Sequence, residues 1–186
     1  MSRGTLLVIS GPSGVGKSTI AKKLREAGIP RMMTTTTRAP RGTEKNGIEY
    51  RFLTRPEFEA EIAQGKFLEW AEIDGNLYGT PKERIDQELA SRKVVLVDID
   101  TQGAATLRKM GGPAMYVFIA PPDMAELRKR LEGRKTEGPE AVKLRLARAE
   151  REMAQKDSYD AVVVNTTVER AVDEILALAR ARNLLG

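Results

Sequence analysis

The stretch "GPSGVGKST", residues 11 to 19, sits between the apolar run "TLLVIS" (5–10) and a helical pattern over 17–27. No other feature limits the fold of this chain as tightly. The spacing G-x-x-x-x-G-K-[ST], after a strand and before a helix, belongs to a loop that closes around phosphate. Gly11, Gly14 and Gly16 let backbone N–H groups converge on oxygens without Cβ clashes, and Pro12, Ser13 and Val15 complete the cradle. The N-terminus of the helix opening near Lys17 adds its dipole. Lys17 supplies a point charge for β- and γ-phosphates, and Ser18 a hydroxyl ligand for Mg²⁺. The competing reading is a bare glycine turn before a helix; spacing, residue types and context together favour a nucleoside triphosphate site.

Three further apolar runs, "VVLVD" (94–98), "MYVFI" (115–119) and "AVVV" (161–164), lack alternation, as strands buried on both faces do. Helical patterns over 101–110, 123–132, 140–156 and 168–182 separate or follow them. This rhythm predicts an α/β fold with a doubly wound parallel sheet around the phosphate loop. "LVDID" ends its strand in acids at the sheet's C-terminal edge. Asp98 is expected to reach Mg²⁺ through water, with Asp100 on the opposite strand face; alternatively Asp100 or Thr101 simply caps the next helix.

The segment 32–80 departs from this rhythm. "MMTTTTR", "IEYRFL" and "KFLEWAEIDGNLYG" are strand-like, the last with the turn "DGN", and "RPEFEAEIAQG" is a short helix. A small, partly antiparallel insertion is expected here. A basic loop, "RLEGRKTEGPE" (130–140), lies between two helices.

Composition narrows the chemistry. The 186 residues contain no Cys and no His, so there is no disulfide framework, thiolate nucleophile, imidazole base or His- or Cys-ligated metal. Reactions must run on carboxylates, Lys, Arg, hydroxyls and backbone amides. A net charge of +5 favours anionic partners. No aromatic-interleaved basic face points to nucleic acid, and no apolar run approaches the ~20 residues of a membrane span. A cytoplasmic protein is expected.

At "TTTTRAPRGTEKNGIEYRF" and "EWAEIDGNLYGT" the chain resembles the guanylate kinase family, ATP:GMP phosphotransferases, along nearly its whole length. "SGPSGVGKST", "LVDIDTQGA", "VFIAPP", "RLEGRKTE" and "VVVN" follow in family order. The resemblance implies that ATP and GMP are the substrates and that Mg²⁺ accompanies ATP. Arg38 and Arg41 would grip the GMP phosphate bidentately, with Tyr50 and Tyr78 adding phenolic donors. Glu69 would accept from guanine N1–H and N2–H₂, Thr34 and Thr80 would offer hydroxyls to the base, and Asp100 a second acceptor. Arg130, Arg134 and Arg145 match the family's lid arginines, and Asn165 its adenine-side asparagine. Without the resemblance, these arginines read as solvated faces, Glu69 as an edge residue, the threonines as strand formers and Asn165 as a turn residue.

The implied layout is a core (1–31, 81–122 and 147–186), a GMP-binding insertion (32–80) and a lid (123–146). Thr34 and Thr80 stand where many members carry serine, and Lys135 where a lid glycine is common. Two other readings compete: a guanylate-kinase-like scaffold that binds phosphopeptides, and a ribosyl bisphosphate kinase. The intact phosphate loop opposes the first, and Glu69 with the threonines opposes the second.

Overall fold

Leu7 and Ile9 of the first strand enter one hydrophobic layer, and Leu6 and Val8 enter another. A run that is apolar at every position requires such two-sided burial. The computed structural model describes residues 4–133 and 139–185. Along the chain come β1 (Thr5–Ser10), α1 (Lys17–Glu26), β2 (Thr35–Thr36), β3 (Arg51–Phe52), α2 (Arg55–Ala63), β4 (Phe67–Ile73) and β5 (Asn76–Pro81). There follow α3 (Lys82–Ser91), β6 (Val94–Asp98), α4 (Thr101–Met110), β7 (Ala114–Ala120), α5 (Met124–Glu132), α6 (Pro139–Met153), β8 (Ala161–Val164) and α7 (Val168–Ala181).

The core sheet is parallel, in the order β6-β1-β7-β8. Residues 30–32 extend it past β6: Met32 N donates to Leu96 O at 2.7 Å, and Leu96 N to Pro30 O at 2.8 Å. The chain thus leaves β1 for one edge through α1 and later returns to the other side of β1. The loop after β1 therefore opens into a crevice at the strands' C-terminal ends. Ile20, Ala21 and Leu24 of α1 pack with Ala171, Val172 and Ile175 of α7 on one face. Ile85 and Leu89 of α3 and Ala104 and Leu107 of α4 cover the other.

The second sheet, β3-β2-β5-β4, mixes parallel and antiparallel pairs. Asp74 and Gly75, at φ 50° and 74°, make the tight turn of the β4–β5 hairpin. Thr54 and Glu57 form a reciprocal capping box on α2, and Phe58 stacks on Phe67 at 4.3 Å to hold that helix to the sheet. Helices α5 and α6 share a smaller cluster of Leu127, Leu131, Val142, Leu146 and Ala149.

Three details depart from the sequence expectation. The threonine run supplies only Thr35–Thr36 as strand. The helix expected over 140–156 ends at Met153, and a 3₁₀ turn takes Lys156–Ser158. Helix α3 has little sequence signal, because only Ile85 and Leu89 mark its buried side and Pro81 stands at its N-cap without a side-chain bond.

Candidate active site

Helix α1 begins directly behind Gly16, whose φ of 101° is open to glycine and strained for other residues. A Cβ there would also come within 2.6 Å of Asn165 Nδ2. Asn165 follows β8 and fastens the phosphate loop by donating from Nδ2 to Val15 O at 2.7 Å. Its Oδ1 is buried with no partner, so it retains an unused acceptor beside the loop. Arg130 of α5 reaches the same place, donating to Val15 O at 3.4 Å and Asn165 O at 3.2 Å while Glu126 holds it at 3.0 Å. Lys17 curls back onto the loop and donates to the carbonyls of Gly11 and Pro12. Loss of hydration lowers its pKa, against the pull of Glu152, Asp100 and Asp98.

A cavity of about 160 Å³ opens beside the loop and brings together Gly11, Ser13, Lys17 and Ser18 with Thr34, Tyr50, Glu69, Tyr78, Asp98 and Asp100. These come from both sheets, so the cleft is where the core meets the insertion. Asp100 caps α4, accepting from Gln102 N at 2.7 Å and Gly103 N at 3.3 Å, and the helix starts at Thr101. Capping and cleft lining are therefore compatible. The expectation that Asp100 faces away from Asp98 fails, since both line one cavity. Residues two apart share a strand face, and β6 ends at Asp98.

The wall opposite the loop is polar and largely buried. A bulge between Phe67 and Glu69 shifts the β4–β5 register so that Glu69 faces Thr80. The Glu69 side chain packs against the first turn of α4. A Cβ on Gly103 would lie 2.5 Å from Glu69 Oε2. Burial pushes the Glu69 carboxyl up to about 7; the Thr80 hydrogen bond opposes this and Asp100 reinforces it. Thr34 and Thr80 are buried with it. Tyr50 and Tyr78 meet edge to face at 6.5 Å, and burial, then Asp98, drive the Tyr50 phenol up to about 12. Arg38 lies behind Tyr50, its guanidinium 5.4 Å from the ring, and pairs with Glu44 at 2.9 Å.

Other expected residues are not among those that line this cavity. The Arg41 side chain is exposed on the insertion, and Arg145 is half-buried on α6. Arg134 and Lys135 fall outside the described residues.

The sequence reading lacks three residues that line the cleft or touch its lining. Arg31 forks onto Asp98 at 2.8 and 3.0 Å; with the partners 67 positions apart in sequence, no local pattern announces the pair. Arg148 lines the cleft, held by Glu152 at 3.0 Å and reaching Asp74 of the hairpin turn at 3.1 Å. Its i,i+4 spacing to Glu152 was a usable signal. Gly103, in "DTQGA", had none beyond its small size.

A phosphate loop after the central strand, facing a pocket of acids and hydroxyls across the crevice of a doubly wound sheet, defines a P-loop phosphotransferase. The guanylate kinase family profile matches residues 3–181, and the chain belongs to that family. It is 47% identical to a guanylate kinase of Rubrobacter xylanophilus, over 97% of this chain and 95% of that one. Identity to a guanylate kinase of Bacillus subtilis is 42%, over 98% and 91% of the two chains. The crystal structure of guanylate kinase from Anaplasma phagocytophilum superposes with a TM-score of 0.83 at 36% identity, covering 98% of this chain and 87% of that one. The scaffold and ribosyl bisphosphate readings gain no support from these matches.

Proposed function

We propose that this chain transfers the γ-phosphoryl group of ATP to the phosphate of GMP, giving ADP and GDP. The observation that carries the reading is the single cleft in which Lys17 and Ser18 face the buried Glu69 and Thr34. An ATP phosphate tail belongs on the loop of Gly11–Ser18, with the adenine toward Asn165. GMP belongs in the insertion, its base against Glu69, Thr34, Thr80 and Asp100 and its phosphate toward Tyr50, Tyr78, Arg38 and Arg41. Arg41 stands exposed on its loop, so it engages when the insertion (32–80) closes on the core (1–31, 81–122 and 147–186). Helix α5 and the first part of α6, packed on their own small cluster, fall in the lid (123–146), whose arginines Arg130, Arg134 and Arg145 would neutralise charge on the transferring phosphates on closure.

Ser18 and Asp98 line one cavity, an oxygen donor set that fits Mg²⁺. Among the described residues no cluster of three or more His, Cys, Asp or Glu forms a metal cage. That suits an ion coordinated chiefly by phosphate and water, with Ser18 as direct ligand and Asp98 through water. Mg²⁺ bound with ATP neutralises charge on the phosphates.

The residues of the chain do the rest. A GMP phosphate oxygen is already ionised near neutral pH, so attack needs no general base, and the lack of His and Cys is no handicap. Lys17 and the arginines stabilise charge on the transferring group, while the acceptor pocket sets the attacking oxygen in line. Closure keeps water from competing for the phosphoryl group. Guanine presents two N–H donors to an ionised Glu69, whereas adenine presents a lone pair at N1. Burial makes that mismatch costly, because the carboxylate goes unpaired. A cytoplasmic setting suits a cysteine-free chain that uses ATP, and no described helix is long and apolar enough to cross a membrane. Incubation with ATP and each monophosphate tests the proposal: GDP should form from GMP, and AMP, CMP and UMP should stay essentially untouched. Equal use of AMP would refute it.

A further inference from the structure

We infer that Arg31 is a positioning residue of the transfer reaction, acting through Asp98 and Tyr50; the inference rests on the function proposed above. Residues 30–32 lie alongside β6, and from there Arg31 reaches along the strand to Asp98. Nε bonds Oδ1 at 2.8 Å and Nη2 bonds Oδ2 at 3.0 Å. Both side chains are withdrawn from solvent, with 13% of Arg31 and 4% of Asp98 exposed. The fork holds the carboxylate in one plane. It uses one acceptor position on each oxygen and leaves one free on each, available to bridging water.

Arg31 also flanks the acceptor side. Its guanidinium carbon is 6.0 Å from the Tyr50 ring centre, and that of Arg38 is 5.4 Å from the same ring. The Tyr50 hydroxyl interacts with Arg31, favouring its charged form. Tyr50 therefore has two cations within 6.0 Å of its ring centre, and both Tyr50 and Asp98 line the cleft proposed to receive the phosphates. An unpaired Asp98 would repel an incoming phosphate dianion at short range. Arg31 cancels that charge and fixes the two groups that face donor and acceptor. A lysine would keep the charge but not the planar fork.

The test compares wild type with Arg31→Met, Arg31→Lys and the double variant Arg31→Met/Asp98→Asn. Steady-state kinetics are joined to calorimetry of GMP binding without Mg²⁺ and to thermal melting. Arg31→Met should weaken GMP about tenfold and lower kcat by about tenfold or more, with KM for ATP changed less than about threefold. Arg31→Lys should recover GMP binding while kcat stays low. The double variant leaves no unpaired carboxylate, so it should melt near wild type yet remain slow. Arg31→Met with GMP affinity and kcat both within about twofold of wild type, and only melting lowered, would make the arginine a fold strut and overturn the inference. A double variant restored to wild-type turnover would also overturn it, reducing Arg31 to a neutraliser of Asp98. Wild-type turnover of GMP, measured alongside, separates either failure from a failure of the proposed function.

Discussion

Thr80 Oγ1 donates to Glu69 Oε1 at 2.5 Å inside the β4–β5 hairpin, with both side chains essentially out of solvent. The bulge at Phe67/Glu69 creates this pairing, and the first turn of α4 closes over it. The carboxyl thus has one oxygen committed and the other pressed against Gly103. Under the proposed function, a base entering from the cleft would meet an acid whose orientation is already fixed.

The raised Glu69 pKa gives a pH test. In the free protein the group titrates at about 7, so below that it is largely protonated and offers guanine one acceptor too few. kcat/KM for GMP should fall as pH drops through about 7, toward tenfold per unit. The GMP phosphate itself takes up a proton near ~6, so Glu69→Gln is the control and should stay flat to about pH 6.5. Stability runs the other way. The folded value lies above the ordinary 4.5, so the folded state holds an extra proton between the two values and loses stability as pH rises across that window. Glu69→Gln should raise the melting temperature of the ligand-free protein above pH 7. A wild-type profile that matches the glutamine variant would refute the assignment.

Gly103→Ala probes the same wall from behind. The added methyl would stand 2.5 Å from Glu69 Oε2, so the carboxylate must turn. Alanine favours a helix over glycine by ~1 kcal/mol, so lost folding is not the expected outcome. KM for GMP should rise about tenfold, with KM for ATP held within about threefold. Unchanged GMP kinetics would show that the orientation of Glu69 is immaterial.

Lys17→Ala should leave folding intact, because the ammonium hydrogen-bonds to carbonyls of its own loop and sits where burial disfavours its charge. Turnover should drop below about a tenth of wild type, as removal of a transition-state cation demands. A variant that keeps more than this does not use Lys17 as proposed.

The outline of the core was legible in the sequence. The apolar runs, the phosphate loop and the hairpin turn are local signals, and each became the element expected, except that "AVVV" forms the edge strand β8 and leaves Val162 and Val164 exposed where burial on both faces was expected. Helix α3 escaped because its buried face is two residues wide. In the site, Lys17 and Ser18 were readable from spacing, whereas Glu69, Thr34 and Thr80 needed the family resemblance to be separated from ordinary strand residues. Arg31 and Gly103 were invisible, since their roles depend on partners far along the chain. The two-residue spacing of Asp98 and Asp100 already places them on one strand face, and both line the cleft.

Arg41→Met separates the two substrate sites. The side chain is exposed, in the segment 32–80 and not in the phosphate loop. Calorimetry should find GMP affinity reduced by about tenfold or more and ATP affinity unchanged within about twofold. Parallel loss of both would contradict a layout with separate donor and acceptor sites.

The base itself offers the most direct measurement: kcat/KM for GMP, IMP and AMP on wild type and Glu69→Gln. IMP lacks only the 2-amino group, and the lost charged hydrogen bond should cost about 1.5–3 kcal/mol, roughly ten- to a hundredfold. AMP also lacks N1–H and should fall by roughly 10⁴-fold from GMP. In Glu69→Gln the GMP-to-AMP ratio should shrink, mainly because GMP is lost, since the amide can donate to adenine N1. A ratio identical in the two proteins, or AMP used as readily as GMP by wild type, would contradict a guanine site built on Glu69.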